Sequence, residues 1–320
     1  MKFTSPYTGA FIANAITHYR TNGSISATAR EFKIQRRTIR KWLLESGALD
    51  APKILPPIDL TTDRPAVPKM GSRIAVISDV QVRPGVDFWY LEYVGRYIAS
   101  KRPEVVVCIG DFADMPSLSS YDAPGSKGME GQRYKEDILA VHNAMKILMA
   151  PMRAEMQKTG WNPRFVMTLG NHEDRIDRAI KMTPKLDGVI GMPDLEYERW
   201  GWEVFPFLQP VIIEGVAFCH YFTTGQMGRP ASSARALLTK KHMSCIAGHQ
   251  QGRDVAYGRR GDGKEMTAII SGSCYLHDEG YLNYQTNCHF RGFYILNDVV
   301  DGEFEEFPVT IRHLRRRYEQ

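Results

Sequence analysis

Apolar and polar positions follow two different periods along the chain, separated by a stretch with neither. Before the break the period is helical. Phe11, Ile12, Ala15, Ile16 and Tyr19 recur on one face and predict a helix over residues 9–20, ended by "TNGS". A second helix is expected over residues 26–32. After a short "KIQ" turn a third follows across "RRTIRKWLLESG", closed by Gly47. Ala29, Phe32, Ile34, Ile39, Trp42 and Leu43 supply a small core, and Arg36, Arg37, Arg40 and Lys41 fall on or beside the exposed face of the third helix. Residues 50–72 carry five prolines and no period, which reads as an extended linker. The expected organisation is therefore a helical unit over 1–49, a linker over 50–72 and a larger domain over 73–320.

In that larger domain short apolar runs alternate with helical stretches. Strands are expected at 73–78, 104–109 and 164–169, with helices at about 87–100 and 133–156 between them. This is a βαβαβ order and predicts an α/β fold with a parallel sheet. Further on, "VIIEGVAFCHY", "HMSCIAG" and "EMTAIISGSCYL" read as strands richer in antiparallel pairing. Hairpin turns are expected at "GRRGDGKE" and at Asp301-Gly302. The polar stretch over 115–132 reads as a lid or substrate loop.

Composition narrows the class. With 43% hydrophobic and 24% charged residues the 320-residue chain is ordinary for a globular protein. It has no apolar run of the ~18 residues a membrane span needs, and its start lacks the uninterrupted apolar core of a signal peptide. Five cysteines without CxxC spacing suggest reduced, buried thiols and a cytoplasmic setting. The charge is uneven. Residues 1–50 hold eight Lys/Arg against three Asp/Glu, a net of +5, which is the net charge of the whole chain. Residues 51–320 are thus neutral, and the basic excess of the first 50 is a footprint for a polyanion. The C-terminal "IRHLRRRYEQ" is a second, smaller basic run, either a further contact for nucleic acid or a solvated end.

The candidate chemistry lies where apolar runs end. Ile77 leads into Ser78-Asp79-Val80-Gln81, "VVVCI" into Gly110-Asp111-Phe112-Ala113-Asp114, and "RFVMTL" into Gly170-Asn171-His172-Glu173-Asp174. "GVAFC" leads into His220, and "MSCIA" into Gly248-His249-Gln250-Gln251. One sheet edge therefore gathers Asp, Asn and His, a donor set suited to divalent transition ions. Arg175 reads either as a phosphate contact or as one half of an ion pair on a helix face, and His277 as a structural residue more than a ligand.

This series of motifs resembles the calcineurin-like metallophosphoesterase superfamily, whose pattern is D-x-H, GD-x-x-D, GNH-E/D, a lone H and GH-x-H. The resemblance implies a four-layer α-β-β-α sandwich and metal-dependent hydrolysis of phosphoesters. It implies that Asp111 bridges two metals, that Asn171, His220 and His249 complete one of them, and that Asp79 binds the other. His172 would stand by the phosphoester oxygens, oriented by Asp114. Gln81 and Gln251 stand where the pattern has histidine, and both fall on the Asp79 metal. That metal site then holds a harder ion through amide oxygens, fills only with substrate, or is lost. Manganese is the first expectation, with Mg, Fe, Zn and Ni as alternatives, at one intact and one modified site.

"SISATAREFKIQRRTIRKWL" resembles the helix-turn-helix family, which implies a DNA-reading third helix with Arg36, Arg37, Thr38, Arg40 and Lys41 at the contact. The whole layout resembles a superfamily branch met in bacteriophages and prophages, which implies a host-cytoplasm setting. The function expected is hydrolysis of phosphodiester bonds of nucleic acid, targeted by residues 1–49. A phosphomonoesterase and a DNA-binding regulator built on a degraded phosphoesterase scaffold are the alternatives. No membrane partner is expected, and nothing in the sequence sets the oligomeric state.

Overall fold

The computed structural model describes residues 7–49, 70–120, 126, 129–225, 227–278 and 289–319. The chain divides into two compact units, Met1–Pro68 and Lys69–Gln320. Most of the expected linker lies outside the described residues.

The first unit contains α1 (Gly9–Asn22), α2 (Ile25–Glu31) and α3 (Arg36–Glu45). The Thr8 and Ser24 side chains cap the first two by accepting from Phe11 N and Ala27 N. Gly23 and Gly47 take the left-handed conformation that ends α1 and the turn after α3. Ala15, Ala29, Ile34, Ile39, Trp42, Leu43 and Ala48 form its core. Phe32 is half-buried at the edge of that core.

The second unit has two large sheets. In the first, β1 (Ser72–Ile77), β2 (Val105–Cys108), β3 (Arg164–Thr168) and β4 (Trp202–Phe205) are parallel. Across β1, β12 (Gly292–Val300) and β13 (Glu303–Thr310) pair antiparallel, giving the order β13-β12-β1-β2-β3-β4. The second sheet runs β10-β11-β9-β6-β5, from β5 (Val211–Ile213), β6 (Val216–Cys219), β9 (Cys245–Ala247), β10 (Arg253–Arg259) and β11 (Glu265–Ser271). Both expected hairpins form, β10–β11 and β12–β13. The later half is less antiparallel than its sequence suggested, because β6, β9 and β11 are mutually parallel. A ribbon of β7 (Thr223–Thr224) and β8 (Arg229–Pro230) lies outside both sheets.

The continuous apolar runs resolve on a period of two, as strands buried on both faces do. Ala75, Ile77, Val106, Cys108, Phe165 and Met167 pack in one core with α4 (Leu91–Lys101), α5 (Tyr134–Thr159), α6 (Arg175–Met182) and α8 (Ile311–Tyr318). Their neighbours Ile74, Val76, Val105, Val107 and Val166 share a second core with Val216, Phe218, Ile246 and Ile269 of the other sheet. Ala217, Cys219, Cys245, Ala247, Ala268 and Ile270 face a third core with α7 (Ala234–Lys241). Helix α4 begins at Leu91, four residues later than expected, because residues 87–88 are irregular and 89–90 form a turn. Among the described residues no helix is long and apolar enough to cross a membrane. Cys108, Cys219, Cys245 and Cys274 are buried free thiols.

One buried acid outside the strand ends has a measurable consequence. Asp137, in the first turn of α5, is fully buried, accepts from Ser117 N at 3.1 Å, and has no partner for Oδ1. Burial pushes its pKa up to about 6. Between pH ~4 and ~6 the unfolded chain loses this proton while the folded chain keeps it, so stability falls as pH rises through that window. Asp137→Asn keeps an acceptor for Ser117 and removes the slope. It is expected to be more stable than wild type at pH 7 by about 2–3 kcal/mol, from ~1.4 kcal/mol per pKa unit. Urea melts at pH 4.5 and 7.5 check this, and an equal pH response in the two proteins refutes it.

Candidate metal centre

Five strands of the second unit end at one place. β1, β2 and β3 deliver Asp79, Asp111 and Asn171-His172, and β6 and β9 of the other sheet deliver His220 and His249. The two sheets are tied there by His220 Nδ1, which donates to Ile109 O at 2.9 Å. The backbone is sharply bent. Asp79 (φ 49°), Gln81 (49°), Asp111 (50°), His249 (67°) and Gln251 (59°) all sit in the left-handed region, which a side chain occupies at a cost and which concentrates at functional sites. Close approach requires the glycines: a Cβ on Gly170 would strike the Asp111 carboxylate, and one on Gly248 the Asp79 carboxylate.

The centre's core is Asp111, His220 and His249, whose ligand atoms lie within 4.8 Å of one another. Asn171 Oδ1 stands between the two rings, 2.9 Å from His220 Nε2 and 2.8 Å from His249 Nδ1. His220 Nε2 is also 3.2 Å from Asp111 Oδ2. Because Nδ1 of His220 is committed to Ile109 O, the neutral ring turns a bare lone pair toward two oxygens. Such a cluster is stable only with positive charge inside it. Accordingly, burial pushes His220 down but the Asp111 carboxylate overrides it and lifts the pKa to about 9. Burial likewise pushes Asp111 up, and the His172 and His220 imidazoles hold it well below the usual carboxylate range. His249, depressed to about 4 by burial and then by His220, stays neutral and available as a donor. One carboxylate, one amide oxygen and two imidazoles fit a divalent cation of the Mn–Zn series.

The second half of the motif set is arranged differently. Asp79 is buried, accepts from His249 N at 3.0 and 3.1 Å and from Ser78 Oγ, and is pushed up to about 6, chiefly by burial. Gln81 is buried, and its backbone N–H donates to Asp111 O at 2.8 Å. Gln251 Oε1 accepts from the Tyr275 hydroxyl at 3.0 Å. His277 stacks on Tyr275 with centroids 4.3 Å apart.

His172 is positioned beside the core. Its Nδ1 donates to Asp114 Oδ1 at 2.7 Å, and its Nε2 lies 3.7 Å from Asp111 Oδ2. Burial lowers the His172 pKa, but the carboxylates of Asp111 and Asp114 more than offset it. Asp114 is itself gripped by Arg83 Nη1 at 2.7 Å. Arg175, expected as a phosphate contact or as half of an ion pair on a helix face, pairs with Asp114 Oδ1 at 3.4 Å. It is buried, with Nη1 donating to Asp114 O at 2.8 Å and Nη2 3.3 Å from His172 Nε2. Glu173 beneath the centre accepts from Asp111 N, Ala113 N and Gly170 N, each at 2.9 Å. Glu173 is the E/D of the GNH-E/D pattern, which names the residue but gives it no role, and Arg83 carries no signal in the sequence. On the first unit, Arg36, Arg37, Arg40 and Lys41 are exposed and Thr38 is half-buried along α3.

No family model matches the chain. It is 36% identical over 118 residues to the gene 54 protein of Mycobacterium phage D29, an alignment covering 37% of this chain and 42% of that protein. The chain thus spans less than half of that relative's length. It is 26% identical over 249 residues to the gene 54 protein of Mycobacterium phage L5, covering 73% of this chain and 91% of the relative. Among solved structures, Yfce, a phosphoesterase from E. coli, is similar at 13% identity with a TM-score of 0.34, over 75% of this chain and 99% of that one. A dimetal phosphatase from Danio rerio is similar at 11% identity with a TM-score of 0.38, over 76% of this chain and 100% of that one.

Proposed function

We propose that the chain is a metal-dependent phosphoesterase of the calcineurin-like type, with an α-β-β-α arrangement of layers, that hydrolyses phosphodiester bonds of nucleic acid. The observation that carries it is the convergence of Asp111, Asn171, His220 and His249 on one cation-demanding point, with His172 held beside it by Asp114. A divalent ion held there would supply charge to polarise a phosphoryl oxygen and acidify a water. His172 binds an oxygen of the ester and holds a proton at Nε2 for the leaving oxygen. Asp114 fixes the ring's tautomer through Nδ1, and Arg83 and Arg175 fix Asp114. The preference for nucleic acid rests on the +5 charge of residues 1–50, read as a helix-turn-helix head with Arg36, Arg37, Thr38, Arg40 and Lys41 at the contact.

The protein is expected to hydrolyse bis-p-nitrophenyl phosphate and DNA when supplied with Mn. Inactivity with every divalent metal refutes the enzyme reading, and preference for the mono-ester moves it to a phosphomonoesterase. Asp79, Gln81 and Gln251 form a weaker, harder-ion site next to the Asp111 set, because Gln251 Oε1 already accepts a hydrogen bond and amide oxygens are poorer ligands than imidazole. Metal analysis is expected to find one tightly bound ion per chain as purified, and a second only after adding Mn or Mg. Two tight ions as purified refute the modified site.

A further inference from the structure

The C-terminal helix α8 presents a surface that nothing in the proposed metal centre uses. Ile311 and Leu314 are buried and seat the helix on the core, while Arg312, Arg315, Arg316 and Arg317 are exposed. No acid lies within the helix. Arg315 is paired with Glu319 at 3.0 Å, but Arg312, Arg316 and Arg317 have no carboxylate partner among the described residues. Elsewhere in this unit arginines are commonly paired, as Arg102 is with Glu155, Arg164 with Glu203, Arg199 with Glu196 and Arg259 with Glu265. These guanidiniums make a local positive patch on a region, residues 51–320, whose net charge is zero with the helix included. Arg312, Arg315 and Arg316 also line an open depression of about 410 Å³ together with Glu319.

An aromatic row runs alongside. Tyr318 lies 5.5 Å from Tyr93, and Tyr93 lies 5.5 Å from Trp89, which is 38% exposed. Guanidiniums flank the row, with Arg96 4.5 Å from the Tyr318 ring and Arg315 5.5 Å from that of Trp89. Trp89 lies in the segment that joins the Asp79 end of β1 to α4. Trp89 adjoins Tyr90, whose hydroxyl donates to Cys274 O at 2.8 Å, and Cys274 N donates to Asp79 O at 3.0 Å.

We propose that α8, with Trp89 and Tyr93, is a docking surface for single-stranded nucleic acid, which it leads toward the metal centre. Phosphates meet Arg312, Arg316 and Arg317, and a base rests on Trp89. Guanidiniums without carboxylate partners beside the partly exposed Trp89 suit a single strand, whose bases are free to stack, better than a duplex. The strand's destination rests on the phosphoesterase reading; the docking surface itself does not.

The test uses the full chain in EDTA, so that no strand is cut, and a labelled oligothymidylate. R312Q/R316Q/R317Q is expected to weaken binding at least tenfold near 0.1 M salt. It should reduce the slope of log affinity against log salt by about 2, from ~0.7 per phosphate contact on single strands. Trp89→Ala is expected to weaken binding about tenfold with little change in slope, since stacking is not ionic. Both variants should hydrolyse bis-p-nitrophenyl phosphate at the wild-type rate. Unchanged affinity and slope in the triple variant overturn the proposal, as does a loss confined to binding of phosphatidylserine vesicles. If the variants lose oligothymidylate binding while wild type hydrolyses nothing with any metal, the docking surface stands and the phosphoesterase reading falls.

Discussion

His172→Ala is expected to lower kcat on a DNA phosphodiester by about 10²–10⁴-fold while leaving the metal content unchanged. The separation follows from the geometry. The side chain of His172 is outside the cluster of Asp111, Asn171, His220 and His249; its ring stands 3.7 Å from Asp111 Oδ2, but its hydrogen bond to Asp111 is through the backbone, His172 N to Oδ1 at 2.9 Å, which alanine retains. The lost part is the imidazole that Asp114 aims, worth about 3–5 kcal/mol of barrier at ~1.4 kcal/mol per decade. Its role as proton donor makes a sharper demand. A nitrophenolate leaves without help, whereas the alkoxide released from DNA needs a proton. The defect should therefore be at least tenfold larger on DNA than on bis-p-nitrophenyl phosphate. Equal defects on both substrates would reduce His172 to a charge that stabilises phosphoryl oxygens. Loss of bound metal along with activity would make it structural.

The strand-end motifs are legible because chemistry and topology agree there. A series of apolar runs, each leading into a compact polar residue and three of them through a glycine, reads as buried strands that end at one edge. The sequence alone therefore places Asp79, Asp111, Asn171, His220 and His249 together. The period-two sorting of the same runs into separate cores is not legible, since Ile74-Ala75-Val76-Ile77 looks alike from both sides. It takes the second sheet, arriving through β6, β9 and β11, to make one face of β1 an inter-sheet core. The parallel pairing of those later strands is hidden for a related reason. Their connections are irregular, and among the described residues between β6 and β9 the regular helix is the short α7.

The supporting residues are invisible in a different way. Arg175 reads as a phosphate contact or as half of an ion pair on a helix face, and only the fold names Asp114 as its partner. Gln251 reads as a substituted ligand, and only the fold brings Tyr275 to its amide oxygen. Sequence spacing names groups that meet a ligand, because their chemistry is restricted to few residue types. It does not name the groups that hold them, because any donor at the right distance serves.

Glu173 has a place in the GNH-E/D pattern but its partners come only with the fold, and Glu173→Gln is expected to cost about 2–4 kcal/mol of stability despite conserving shape. Its two oxygens accept from three backbone N–H groups, Asp111 and Gly170 at Oε2 and Ala113 at Oε1, and from the Tyr197 hydroxyl at 3.3 Å. Burial and the nearby Asp111 charge push its pKa up, but four donors with no acceptor among them fit the ionised form. Glutamine offers one oxygen. Whichever way it turns, its NH₂ faces at least one N–H in a fully buried place, leaving donors opposed at ~1–3 kcal/mol each. Those donors belong to the turns that carry Asp111 and Asn171, so the fall in thermal midpoint, roughly 2–4 °C per kcal/mol for a unit of this size, should come with weaker metal binding. Glu173→Asp keeps the charge but shortens the reach and should fall between the two. A Glu173→Gln protein with the wild-type melting temperature and metal affinity would mean that the turns hold their shape unaided. The left-handed Asp111 backbone would then be set by the strands alone.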